Sequence, residues 1–345
     1  MTSGSGGAPR RKPKVWSVSM VRNEADIVEA FVRHNAAILD GMAIIDHGSI
    51  DGTLAILTDL ARERFPIILI KSATPGYLQE QITTATARDV FRQTGADFVM
   101  PLDADEFLKV RSRDEFDRAL LAIPPAMNGL LHWLTYVPDF AAAKDGMLAL
   151  LRSARRMAKE RQAFHKALMS RYLLERPEAM LANGNHFVAR RLHGSSEDAE
   201  PHARIRDEFA ALAHVPIRSA AQFVTKVAVK KLGRIAAQYD WTPDAASQAA
   251  YEAVLAGRPV DDALLLEHAI NWSVPKPNWA ARADIELVDD PFLAPITLRY
   301  TPPAAADPLP LVLSAADRLV QRLVAARRGA GAARPPTAAA PTPTS

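Results

Sequence analysis

Phe98-Val99-Met100-Pro101-Leu102-Asp103-Ala104-Asp105-Glu106-Phe107 is the stretch whose reading decides the fold. An apolar run that ends in three acids within four residues is the pattern of a buried strand reaching the rim of a sheet and presenting carboxylates there. Asp103 and Asp105 are one residue apart, so on an extended segment they point to the same side. Like charges held that close repel unless a cation sits between them, which predicts a divalent metal on oxygen ligands. A bare D-x-D is short and common, and a solvated loop would carry one equally well. Its neighbours decide.

Toward the N-terminus, Val15 to Val21 alternates and is β-prone, and it stops at Arg22-Asn23-Glu24. Asn23 is a suitable helix N-cap, Asp26 complements a first turn, and Gly41 is a suitable helix terminator. Met42 to Asp46 reads as a second strand, followed by the turn His47-Gly48-Ser49-Ile50-Asp51-Gly52-Thr53. A helix from Thr53 to Arg64, a strand from Ile67 to Lys71 and a helix from Tyr77 to Gln93, closed by Gly95, lead back to the opening stretch. Strands alternating with helices in this way describe an α/β fold, a mostly parallel sheet built by right-handed crossovers with helices on both faces. Ligands of such sheets bind outside the carboxyl ends of the strands. Three strand ends carry polar clusters: Asn23 and Glu24, Asp46 and His47, and Asp103 to Glu106.

Toward the C-terminus, Ser112-Arg113-Asp114-Glu115 is a capping box opening a short helix, and Pro124-Pro125 breaks the chain. Gly129 to Val137 is an aromatic strand in which Trp133 and Tyr136 read as core. His165 to Leu174 and Phe187 to Leu192 are further strands around the turn Asn183-Gly184-Asn185-His186. Ala211 to Ser219 reads as a strand end with a helix starting at Ser219 and running through Lys226 to about Gln238. Residues 240–290 look helical and supply no site. Leu311 to Arg328 is a basic amphipathic helix, packed on its own domain or, less in keeping with its pattern, on a membrane surface or a partner. The expected organisation is a disordered leader over 1–14, a catalytic domain over 15–238, a helical extension over 239–328 and a disordered Ala/Pro-rich tail over 329–345.

The 345 residues carry 42 Lys plus Arg against 39 Asp plus Glu, a net charge of +3 that gives nucleic acid no reason to bind. Cysteine is absent, which excludes disulfides, thiolate ligands and a cysteine nucleophile. No apolar stretch has the length of a membrane span. A cytoplasmic protein is expected, at most peripheral to the inner face of the membrane.

The runs Val18-Ser19-Met20-Val21-Arg22-Asn23-Glu24, Asp46-His47-Gly48-Ser49-Ile50-Asp51-Gly52-Thr53 and Leu102-Asp103-Ala104-Asp105-Glu106-Phe107 together resemble bacterial glycosyltransferase family 2-like proteins of the GT-A fold. The later N-G-N-H and H-x-P-x-R-S-x-x-Q-F-x-x-K segments resemble a branch of the same family. The resemblance implies a metal-dependent hexosyltransferase, usually inverting, that moves a sugar from a nucleotide-sugar donor to a hydroxyl of a glycan, lipid-linked or other acceptor. It implies that Asn23, Glu24 and Asp46 line the nucleotide pocket, that Asp103 contacts ribose or metal, that Asp105 holds Mg²⁺ or Mn²⁺, and that His214 completes the metal shell. Arg218 and Lys226 would add positive charge at the pyrophosphate. His186 is expected at the acceptor or as an alternative metal ligand. The E-D motif that often supplies the general base has no clean copy, with Glu197-Asp198 in a polar loop and Asp139 after a strand. Two other readings share these residues: a nucleotidyltransferase, against which stands the lack of a Gly-rich phosphate loop after the first strand, and a non-catalytic scaffold that binds sugar nucleotides.

Overall fold

The computed structural model describes residues 12–72, 74, 76, 78–237 and 245–332. The leader expected over 1–14 and the tail expected from Gly329 fall mostly outside them. The N-terminal half alternates as the sequence predicts: β1 (Val15–Val21), α1 (Val28–Asn35), β2 (Gly41–Asp46), α2 (Thr53–Arg62), β3 (Ile67–Lys71), α3 (Gln79–Thr94) and β4 (Phe98–Pro101). The four strands pair in parallel in the order β3-β2-β1-β4. Strand β2 is buried along its whole length, as a strand covered on both faces must be. Met42 and Ile44 pack with Phe31, Leu57 and Leu60 of α1 and α2, while Ala43 and Ile45 pack with Val90 and Phe91 of α3. The two-residue period of a strand thus sorts the helices onto opposite faces.

Two local readings differ from the structure. Gly41 does not end α1, which stops at Asn35; it opens β2 beside Trp16, whose ring would lie 2.4 Å from a Cβ at that position. Asn23 does not cap α1 either. It takes a left-handed conformation (φ 57°), which asparagine tolerates, and the helix begins at Val28. The amides this loop leaves over are satisfied by the facing turn: Asn23 N donates to Ser49 Oγ, Glu24 N to Thr53 Oγ1 and Ala25 N to Asp51 Oδ2.

The second half extends the sheet with strands the sequence foresaw incompletely. These are β5 (Glu106–Val110), β6 (Asn128–Val137), β7 (Arg155–Met157), β8 (Phe164–Ser170), β9 (Met180–Leu181), β10 (Val188–Ala189), β11 (His202–Arg204), β12 (Ala210–His214) and β13 (Leu287–Val288). Helix α4 (Arg113–Leu121) starts at Ser112, whose hydroxyl accepts from Glu115 N as a capping residue should. Helix α5 (Met147–Ser153) follows β6. Strand β8 pairs antiparallel with β4 and with β6, and β12 runs parallel to β6 and antiparallel to β5. The C-terminal helices are α6 (Ala220–Ala237), α7 (Ala245–Leu255), α8 (Asp262–Ile270) and α9 (Pro308–Ala332). Phe223 and Val227 of α6 share a core with Leu264, Leu265 and Ile270 of α8, and α9 packs along α6. Among the described residues, no helix is long and apolar enough to cross a membrane.

Candidate active site

A cavity of about 420 Å³ opens at the carboxyl ends of β1 and β4. Its wall takes Arg22, Asn23 and Glu24 from the end of β1, His47 from beyond β2, and Asp103 to Asp105 from beyond β4. The strand ends that the sequence marks as polar therefore meet in one place. Asp46 is an exception: it is buried beside the cavity, its Oδ1 accepting from Ser49 N at 3.3 Å, and is not part of the wall.

The two aspartates do not stand on an extended segment as expected. Residues 104 and 105 form a turn closed by Glu106 N donating to Asp103 O at 3.0 Å, because β5 must fold back antiparallel to β12. The carboxylates consequently find different partners. Asp103 accepts from Gln79 Nε2 at 3.1 Å and from Lys166 Nζ at 2.8 Å. Lys166 is almost fully buried and also donates to Glu106 Oε1 at 2.7 Å. Burial opposes its charge, but Asp103 and Glu106 outweigh burial and hold the ammonium above its ordinary range. Asp105 accepts from Lys226 Nζ at 2.5 Å. The repulsion that suggested a metal is thus already met by two lysines.

The pairing of β12 with β5 sets His214 opposite Glu106, and Val215 N donates to Asp105 O. His214 Nε2 lies 3.7 Å from Asp105 Oδ2 and Arg218 Nη1 4.0 Å from it. Burial would push Asp105 up, yet Lys226, His214 and Arg218 hold it well below the usual carboxylate range. Arg218 is fully buried outside the cavity wall, with Nε on Asp26 Oδ2 at 2.9 Å and Nη2 on Glu24 Oε2 at 2.6 Å. It ties the end of β1 to the segment after β12 instead of facing the cavity. Burial pushes Glu24 up against the pull of that arginine.

His186 lines the cavity, its Nδ1 bonded to His165 O at 2.9 Å. A carbonyl only accepts, so Nδ1 carries the proton and Nε2 keeps its lone pair. The ring stacks on Phe164 at 5.0 Å, and Trp133 stands between it (5.6 Å) and His214 (4.0 Å). Trp133 is therefore a wall residue and not only core, whereas Tyr136 is core as expected. Residues 240–290, expected to supply no site, contribute His268, Trp272 and Ser273 to the wall. Lys166, Gln79 and these three were missed because none belongs to a local motif; their role appears only once β8, α3 and α8 are placed.

Burial lowers His186 and His214 to about 4. A histidine so depressed is neutral when folded, and the stability this represents is present above the unfolded value near 6.5 and is lost as the pH falls through the folded value. Each should cost the folded state about 2 kcal/mol by pH 5. In a proton NMR titration both ring resonances are expected to stay flat from pH 8 to 5.5; a midpoint near 6.5 for either would contradict its burial.

No known protein family matches the sequence, and no curated protein does. Remote likenesses exist among solved structures. A mannosyltransferase from Pyrobaculum calidifontis, in complex with GDP-Man and Mn²⁺, is 16% identical over 94% of this chain and 81% of its own, with a TM-score of 0.37. TarS of S. aureus is 12% identical over 77% and 73%, with a TM-score of 0.36. Glucosyl-3-phosphoglycerate synthase from Mycobacterium tuberculosis, with UDP and Mn²⁺, is 14% identical over 65% and 78%, with a TM-score of 0.32. Neither substrate nor metal passes from them to this chain.

Proposed function

We propose that this chain is a GT-A glycosyltransferase that moves a sugar from a nucleotide-sugar to an acceptor hydroxyl. The observation that carries the reading is the meeting of polar strand ends of a parallel sheet on one cavity, where Asp105 is faced by His214 and Lys226. Asn23, Glu24 and Asp103 would receive the nucleoside, and Lys226 the diphosphate. Arg218 and Asp46 would position the loops beneath it. Among the described residues there is no group of three or more His, Asp or Glu side chains that could hold a metal by themselves. Asp105 and His214 nevertheless suit one, being an ionised carboxylate and a neutral imidazole side by side, and a hard cation at a nucleotide site takes its remaining ligands from phosphate and water. Mn²⁺ or Mg²⁺ would be held by these two, with Asp103 already engaged by Lys166 and Gln79. When bound, it would neutralise the charge that builds on the departing diphosphate. Lys226 adds its own positive charge there.

His186 is the group we assign to take the acceptor's proton. Its tautomer is fixed by the His165 carbonyl, Nε2 is unprotonated, and the ring lies on the cavity wall. Trp133, between the two histidines, offers a flat apolar face to a sugar ring.

A thermal-shift screen of UDP-, GDP- and dTDP-sugars and their nucleoside diphosphates, with and without Mn²⁺, tests the reading. A ligand at a hundred times its Kd should stabilise the protein by about 2.7 kcal/mol. If none of them raises the melting temperature under either condition, the reading is wrong. Release of pyrophosphate in place of nucleoside diphosphate during turnover would mark a nucleotidyltransferase instead.

A further inference from the structure

The last helix reaches the cavity from behind its wall. Helix α9 packs along α6, the helix whose Lys226 meets Asp105, and buries Leu311 and Ala315. Arg318 follows Ala315 at the next position on the same face, so it stays on the docked side of the helix. Its guanidinium donates from Nη1 to His47 O at 2.8 Å and from Nη2 to Thr74 O at 3.3 Å. Those two carbonyls belong to separate loops, one after β2 and one between β3 and α3. Both loops supply the cavity wall, the first through His47 and the second through Gly76. The approach depends on Gly48, which has φ 79° and where a Cβ would fall on Arg318 Nη1. Arg22, on the same wall, opposes Arg318 as a like charge, so two carbonyl bonds and not a charge partner hold the guanidinium there. Helix α9 thus spans two walls of one cavity, the paired loops through Arg318 and α6 through its packing.

We infer that α9 is a brace of the donor pocket and that Arg318 is a positioning residue for the nucleotide, holding the loops that carry His47 and Gly76 in place before the nucleotide arrives. The inference rests on the glycosyltransferase reading. Arg318 is not on the cavity wall, so it acts through the backbone it grips. A loop already fixed in its bound conformation need not be ordered at the expense of binding, so the brace acts on affinity.

The test is a calorimetric titration of the full chain with UDP, GDP and dTDP, each in the presence of Mn²⁺. For whichever of them the wild type binds, Arg318→Leu should weaken affinity about tenfold, because the loops must then be ordered during binding. The unliganded variant should melt within about 3 °C of wild type, since two partly exposed hydrogen bonds contribute little to stability. Arg318→Lys keeps the charge but not the planar fork that bridges two carbonyls, so it should recover only a small part of the lost affinity. Gly48→Asn reaches the same contact from the other side. Asparagine accepts the left-handed backbone, but its Cβ displaces the guanidinium. It should therefore weaken binding as Arg318→Leu does, and add less than about twofold to that loss in the double variant. Wild-type affinity in Arg318→Leu, full recovery by Arg318→Lys, or additive losses in the double variant overturns the inference. Failure of the wild-type protein to bind any of the three nucleotides is a different result, which removes the glycosyltransferase reading and the brace with it.

Discussion

Replacing Asp105 by alanine is expected to lower turnover of the preferred nucleotide-sugar by about three orders of magnitude. This carboxylate is where His214, Lys226 and Arg218 converge, and it stays ionised despite burial because they surround it. Its loss removes the anionic partner of any bound cation and frees Lys226 from its anchor, so the diphosphate meets neither in its proper place. Calorimetry should show that the Mn²⁺-dependent part of nucleoside diphosphate binding disappears. An isotherm indistinguishable from wild type would sink the metal assignment. Asp105→Asn keeps the side-chain shape and one hydrogen-bond acceptor while removing the charge. It should fold with a normal circular dichroism spectrum and still fail in turnover, which separates the chemical role from a packing role.

Arg218→Leu should destabilise the protein by about 3–5 kcal/mol, the usual result of removing one partner from a buried ionic cluster. The guanidinium is inaccessible and holds Asp26 and Glu24 directly, with Asp105 4.0 Å away, so its removal leaves three carboxylates facing one another. The sign of the pH dependence follows. Arg218 pulls Glu24 and Asp105 down, so without it these two ionise less readily in the folded chain than in the unfolded one, and the deficit is greatest near neutral pH and shrinks toward pH 4 as they take up protons. Urea unfolding of wild type and variant at pH 7.5 and pH 5 would measure both effects. A loss below 1 kcal/mol at pH 7.5 would show that the cluster tolerates the missing charge. Arg218→Lys, which keeps the charge but not the planar fork, should recover only part of the loss.

What could be read from the sequence and what could not divide along the distance over which each feature is determined. The parallel half of the sheet was legible because its signals are local: alternation in Val15–Val21, the glycines of the turn after Asp46, Gly95 at the end of α3 with φ 70°, and the acids after Phe98–Pro101. Errors within it came from residues whose type permits two backbone roles. Asn23 looks like a helix cap and is a left-handed loop residue; Gly41 looks like a helix stop and makes room for Trp16. The second half was less legible because its strands are defined by register. Nothing near Glu106 announces β5, which exists because β12 pairs with it. Lys166 reads as an ordinary strand residue until β8 sets it beneath Asp103 and Glu106. Arg218 looked like a phosphate ligand because it is basic and close in sequence to His214; burial against Asp26 gives it a bracing role.

The antiparallel seam between β5 and β12 has a consequence in time as well as in space. Lys226 and Asp105 are 121 residues apart in the chain and touch only after that seam closes. Closing so long a loop is slow and contributes little until the final contacts form. The parallel half, with shorter connections, can assemble first and already carries Asn23, Glu24 and Asp103. A growing or refolding chain would therefore own half of the proposed donor pocket before it owned the cations that balance its acids. On the proposed function, nucleotide affinity should then emerge as the last step of folding, making a bound nucleotide a reporter of the completed native state.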